Sequence, residues 1–184
     1  MIWFTSDTHF FHRNSIFHNN RPYKTVEEMN ENLIKNWNRC VKSTDEIYHL
    51  GDFSWKTSPT MMKELLEKLN GKKHLILGNH DNEKMIQHLN MFESVTNYKR
   101  MLIDGYRVIL FHYPIADFDC MYHKSIHLYG HVHNNPCLID MLDKEKYYAY
   151  NVGVDTNNYQ PISFEEIKIK LNLPKEGDKN TMIY

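Results

Sequence analysis

Residues 46–52, Glu-Ile-Tyr-His-Leu-Gly-Asp (EIYHLGD), decide how this chain is read. A short β-favouring run, 46–50, stops at a glycine and then at an acid. That is how a strand looks when its end delivers a chemical group. The same step recurs outward in both directions. "MIWFTS" (1–6) runs into Asp7-Thr8-His9, and "KHLIL" (73–77) closes at Gly78-Asn79-His80-Asp81. Residues 98–114 read as two strands joined at a turn around Asp104-Gly105, the second ending at His112. "SIHLYG" (125–130) ends at His131-Val132-His133.

Helices are expected between the early strands. From Thr25, "TVEEMNENLIKNWNRC" carries a capping-box pattern, Thr25 with Glu28, and lines Met29, Leu33 and Trp37 along one face. Residues 58–71 form a second helix, with a proline in the first turn and Gly71 as its C-cap, and 83–89 a third. "YYAYNVGV" (147–154) reads as a further strand and 163–171 as a terminal helix capped by Ser163. Strands alternate with helices early and dominate later, which predicts an α/β chain with more than one sheet layer. In open α/β sheets, sites gather at the carboxyl ends of strands. Five ends carrying Asp, Asn or His therefore predict one site.

Composition bounds the partners. A chain of 184 residues is read as one domain, 1–184, with residues 10–46 as a loop-plus-helix insertion flanking the site and 174–184 as a loose tail. A formal net charge of −1 gives no electrostatic case for a membrane surface or for broad tracking of nucleic acid. The three cysteines, Cys40, Cys120 and Cys137, form no CxxC pair and read as free thiols of a reducing compartment. The opening "MIWFTSDTHFF" lacks a basic n-region, and no apolar run reaches membrane-span length. A cytoplasmic protein is expected.

The strand-end residues make an inventory of two carboxylates (Asp7, Asp52), one amide (Asn79) and four imidazoles (His9, His112, His131, His133). Imidazole with carboxylate suits manganese, iron, zinc, nickel or cobalt, and no cysteine is near enough to suggest a thiolate site. Seven protein ligands are too many for one first-row ion that must also hold water and substrate. They suit two ions sharing a bridging carboxylate, spaced roughly 3.5–4 Å apart, the arrangement that clamps an in-line displacement at phosphorus. Two divalent ions against two carboxylates leave a positive excess that draws an anionic phosphate. Hydrolysis of a phosphate ester is the predicted chemistry.

These residues also carry a resemblance. Asp7-x-His9, Gly51-Asp52, Gly78-Asn79-His80-Asp81, His112 and Gly130-His131-x-His133 resemble, in order, the five blocks of the calcineurin-like metallophosphoesterases. "NVGVD…QPISFEEI" (151–167) is similar to that family's closing segment. The resemblance implies a four-layer α/β/β/α sandwich with a dinuclear centre at the C-terminal ends of the strands. One metal would take Asp7, His9, Asp52 and His133, and the other Asp52, Asn79, His112 and His131. It implies a hydroxide held between the metals as nucleophile, His80 assisting the leaving oxygen, and Asp81 orienting that imidazole. Manganese is the first choice of metal. One position departs from the family pattern: the block after Asp52 reads "GDFSW", with Trp55 where a polar residue is usual.

Other histidines have plainer readings. His49, inside "IYHLGD", is expected to be a packed strand residue, and His74, His88, His123 and His127 to have no part in the site. The segment 10–23, with His12, Arg13, Asn14, His18 and Arg21, reads either as a solvated loop or as a rim that grips substrate. On the second reading His12, Arg13 and Asn14 are the contacts. No large cap or basic extension is visible, so a small phosphorylated substrate is expected, a phosphodiester of nucleotide type first. A phosphomonoesterase and a nuclease are the alternatives. A non-catalytic scaffold would be expected to have lost ligands, and every one is present.

Overall fold

The computed structural model describes residues 1–143 and 147–173, so the predicted loose tail lies outside the described residues. Two sheets make up the fold. The first pairs β1 (Ile2–Thr5), β2 (Glu46–His49), β3 (Lys72–Ile76) and β4 (Ser94–Thr96) in parallel. The C-terminal strand β9 (Ile162–Ser163) adds antiparallel to β1, giving the order β4-β3-β2-β1-β9. The second sheet runs β5-β6-β7-β8: β5 (Tyr98–Ile103) is antiparallel to β6 (Tyr106–Phe111), and β7 (Ile126–Tyr129) and β8 (Tyr148–Asn151) follow in parallel.

Both faces of the first sheet are covered, which is why its strands read as continuous apolar runs. Ile47 and Leu75 point to one side, where α2 (Val26–Cys40), α3 (Pro59–Lys68) and α4 (Glu83–Leu89) pack with Met29, Leu33, Trp37, Met62 and Ile86. Phe4, Tyr48 and Ile76 point to the other, against Val108 and Leu110 of β6 and Ile126 and Leu128 of β7. Alternate residues along each strand thus serve two cores. The terminal helix α5 (Phe164–Lys170) closes the inter-sheet core with Phe164 and Ile167. The outer face of the second sheet has thinner cover, Phe118 and Met121 resting on Ile109. The result is the mixed α/β, two-sheet sandwich expected.

Local signals fared unevenly. Ser163 and Glu166 form the full capping box of α5, whereas Thr25 caps Glu28 while the Glu28 carboxylate reaches back one residue further, to the Lys24 N–H. α3 ends at Lys68, earlier than expected, and Gly71 (φ 91°) makes the turn into β3 instead of capping the helix. A Cβ there would meet Val41 Cγ1 at 2.7 Å. Within the segment expected as a loop, Arg13–His18 form a short helix, α1. β4, only three residues long, gave no period for a sequence reading to detect.

Candidate metal centre

The ends of β1, β2, β3, β6 and β7 converge on one edge of the sandwich. Past β1 and β2 the two chains stay paired, through Asp7 N–H to the Gly51 carbonyl, His9 N–H to Asp52 and Phe10 N–H to Phe53, each 3.0 Å. The ladder is irregular because Asp7 (φ 56°), His9 (φ 49°) and Asp52 (φ 57°) lie in the left-handed region. Asp and His visit that region more readily than most residues, yet each such position costs about 1–3 kcal/mol and persists only where surrounding contacts hold it.

The last block differs from its simplest expectation. On an extended strand His131 and His133 would share a face. Both are left-handed instead (φ 70° and 50°), and the Val132 N–H bonds the Gly130 carbonyl at 2.8 Å, so the backbone turns between them. The two imidazoles therefore serve different clusters. Potential ligand atoms of Asp7, His9 and His133 lie within 4.8 Å of one another, and so do those of Asp52, His112 and His131. Asp52 Oδ2 stands between the groups, 3.5 Å from His9 Nε2 and 3.6 Å from His112 Nε2.

This close convergence requires glycine. A Cβ on Gly130 would fall 2.0 Å from Ser6 Oγ and 2.4 Å from Asp7 Oδ2. Here the two sheets are stitched together: the His131 N–H donates to the Asp7 carboxylate at 3.0 Å and the Val154 N–H to the Ser6 carbonyl.

The donor set fits divalent cations. His112 is fully buried, and its Nδ1 lies 2.7 Å from the Leu50 carbonyl, an oxygen that only accepts. In the neutral ring Nε2 then bears a lone pair, which faces Asn79 Oδ1 at 3.1 Å and Asp52 Oδ2. Three acceptors converge without a donor, and a cation resolves that arrangement. His9 Nδ1 is buried without a hydrogen-bond partner. Burial, reinforced by the Arg21 charge, holds the His9 imidazole far below its usual range, so it is neutral and ready to ligate. Burial also lowers His131, and raises the Asp7 carboxyl against the pull of His112 and His133. At His133, burial opposes the charge, but the Asp155 hydrogen bond and the Asp7 and Asp155 charges outweigh it and raise the imidazole.

His80 is partly open to solvent, 3.9 Å from Asp52 Oδ2. The Asp81 carboxylate has a different partner from the one expected. Its oxygens accept from the backbone N–H groups of Asp52, Phe53 and Gly78, each at 2.9 Å, so it ties the ends of β2 and β3 together. Burial still pushes its carboxyl up to about 6, against those three hydrogen bonds. His49 is packed as expected, against Phe53 and Trp37 and bonded to Thr8.

Of the three rim residues, His12 is brought into the site. It stacks on Trp55 at 4.3 Å and an interplanar angle of 13°, and lies 5.3 Å from the His9 ring. Burial and the nearby His80 push it down to about 4. Trp55 in turn meets the edge of His80 at 4.8 Å, so the position that departs from the family pattern is a wall for that imidazole. Arg13 and Asn14 stand exposed at the start of α1.

Arg21 is no rim residue: its side chain is 0% exposed and turned inward to Asp155. Asp155 ends the "NVGVD" stretch of the closing segment but was given no role from sequence. It follows β8, whose polar end Asn151 holds the His133 carbonyl, so it lies at a sixth strand end. Tyr113, packed on both His112 and His131, also went unnoticed.

Residues 1–161 match the family model described as calcineurin-like phosphoesterase superfamily domain. The chain is 38% identical over 167 residues to the uncharacterized protein MJ1445 of Methanocaldococcus jannaschii, covering 90% of this chain and 88% of that protein. It is 37% identical over 81 residues to the gene 66 protein of Mycobacterium phage L5, covering 43% of this chain and 39% of that one. In structure it is similar to the protein of unknown function AQ665 from Aquifex aeolicus, with a TM-score of 0.75 and 31% identity over 92% of this chain and 98% of that one.

Proposed function

Since this chain belongs to the calcineurin-like phosphoesterase superfamily, a family of metal-dependent phosphoesterases, we propose that it hydrolyses phosphodiesters in small nucleotide-type substrates at a dinuclear centre. The observation that carries the proposal is Asp52 Oδ2, set between His9 Nε2 at 3.5 Å and His112 Nε2 at 3.6 Å, one carboxylate serving two clusters. Asp7, His9 and His133 would share Asp52 with one ion, and Asn79, His112 and His131 would share it with the other. Manganese is the first metal to test. When bound, the two ions supply Lewis acidity toward phosphoryl oxygens and the means of ionising water at neutral pH.

The chain's own residues supply the rest. Asp52 is held rigidly, its N–H by Asp81 and its Oδ1 by the His80 N–H. His80, accessible beside Asp52, is placed to give a proton to the leaving oxygen. Trp55 and His12 restrict where that ring can turn.

The rim supports a diester. A monoester dianion calls for extra cations around phosphorus, and bidentate arginine is the usual answer. Of the two arginines in this segment, Arg21 faces inward, leaving Arg13. What borders the ligands is His12, kept neutral, with Trp55 and Tyr113: flat, largely apolar surfaces that suit a monoanionic diester with a planar group attached.

The test is a screen of the Mn²⁺-loaded protein. We expect bis-p-nitrophenyl phosphate to be hydrolysed with a higher kcat/KM than p-nitrophenyl phosphate. Cyclic nucleotides and dinucleotides should outrun both nucleoside monophosphates and oligonucleotides. Preference for the monoester, or for oligonucleotides, overturns the substrate assignment.

A further inference from the structure

We propose that Arg21 and Asp155 are positioning residues that set the metal affinity of the Asp7/His9/His133 cluster alone, making the two metal sites unequal. The inference rests on the dinuclear reading above.

The pair is buried, and apart from an Nη1 contact with Met29 Sδ at 3.4 Å its hydrogen bonds are directed at the site's framework. Arg21 Nε donates to Asp155 Oδ1 at 2.8 Å and Nη2 to Oδ2 at 2.9 Å, a two-pronged contact. The same guanidinium donates through Nη2 to the Asp7 carbonyl at 2.6 Å and through Nη1 to the Thr8 carbonyl at 2.9 Å. Both side chains are 0% exposed. A buried ion pair contributes little net stability unless its geometry satisfies nearly every donor, and this one does.

Two consequences follow for one cluster. Asp155 Oδ2 also accepts from His133 Nδ1 at 2.7 Å. That bond fixes the ring's tautomer and rotation, presents Nε2 as the free lone pair, and makes the imidazole a more basic ligand. At the other end, the guanidinium grips the successive carbonyls of Asp7 and Thr8, just after the Asp7 carboxylate, holding the left-handed turn that aims it. Arg21 and Asp155 thus brace two of the three residues of one cluster from behind. In the other cluster His112 leans on the neutral Leu50 carbonyl. A charged support on one imidazole and a neutral one on the other predicts unequal affinity, tighter where Asp155 stands.

The experiment is a Mn²⁺ titration of metal-free protein, read by equilibrium dialysis with elemental analysis and by EPR. Wild type should bind two equivalents and develop a spin-coupled signal. Asp155→Asn should weaken one equivalent by about 10–100-fold and leave the other unchanged, giving an uncoupled mononuclear signal at intermediate Mn²⁺. Arg21→Lys should weaken the same equivalent less, since it keeps the charge and loses the fork. It also carries the test if Asp155→Asn does not fold. The double variant Asp155→Asn/His133→Ala should bind metal as His133→Ala alone does. Weakening of both equivalents together, or of neither, overturns the positioning role. Fewer than two equivalents in wild type overturns the dinuclear reading, and this inference with it.

Discussion

His112 and His127 sit in the same sheet, at or near the ends of neighbouring strands, and both are 0% exposed. Their surroundings differ in one respect. His127 lies on the outer face beside Phe118, with Nδ1 3.3 Å from the Ile109 carbonyl and Nε2 3.2 Å from both the Ile115 N–H, which it accepts, and the Tyr113 carbonyl. Each ring nitrogen has a backbone partner of the right kind. His112 has such a partner only at Nδ1, and its Nε2 faces two further acceptors. Burial therefore does not distinguish a ligand from a core histidine. What marks His112 is a lone pair that faces further acceptors; an unpartnered ring nitrogen alone is not enough, since His49 Nδ1 is also buried without a partner in a packed position.

The sharpest way to break this contrast is at the carboxylate His112 faces. Asp52→Asn removes the one charge shared by both clusters and puts an amide donor among the acceptors. We expect a loss of about 10³-fold or more in kcat, together with loss of bound metal, by steady-state hydrolysis and elemental analysis of the same sample. Activity near wild type would show that the convergence of acceptors is not a metal site.

His80→Ala separates chemistry from binding. The His80 side chain meets the centre through the 3.9 Å approach to Asp52 and the ring contacts with His9, His12 and Trp55, while its bond to Asp52 Oδ1 comes from the backbone N–H, which alanine keeps. The variant should keep both metal equivalents and lose about 10²-fold in kcat, as expected for a lost proton donor. A loss of metal instead would place His80 among the ligands.

How much of this was readable in the sequence depends on distance along the chain. Strand ends are local, so the Gly51-Asp52, Gly78-Asn79 and Gly130-His131 steps marked both the sheets and the site. The glycines were legible as punctuation, but the reason for Gly130, a Cβ 2.0 Å from Ser6 Oγ, needs residues from two sheets. The Arg21–Asp155 pair joins positions 134 apart, and neither side chain carries a pattern that points to the other. Arg21 was read only as part of the 10–23 segment, a solvated loop or a rim facing substrate, and its burial fits neither. Asp81 was misdirected for a related reason: adjacency to His80 suggested an imidazole partner, whereas the backbone N–H groups of two strand ends claim its oxygens.

The smallest predicted effect returns to His127. Burial depresses its imidazole to about 4, against the opposing pull of the Ile109 and Tyr113 carbonyls. The unfolded chain restores the ordinary value of 6.5. Between those limits the unfolded state binds the proton and the folded state does not. The stability owed to a neutral His127 is thus complete above pH 6.5, shrinks as pH falls, and is gone below about 4. A difference of this size is worth roughly 3 kcal/mol at most. Replacing the ring by a side chain that does not titrate, His127→Asn, should flatten the acid side of the stability curve by up to that amount, measured as urea midpoints of metal-free protein from pH 7 to pH 4. Activity and metal content at neutral pH should stay within about twofold of wild type. His112→Asn should do the reverse, losing metal and activity at neutral pH. If both variants lose metal alike, satisfied ring nitrogens are no guide to which buried histidine is a ligand.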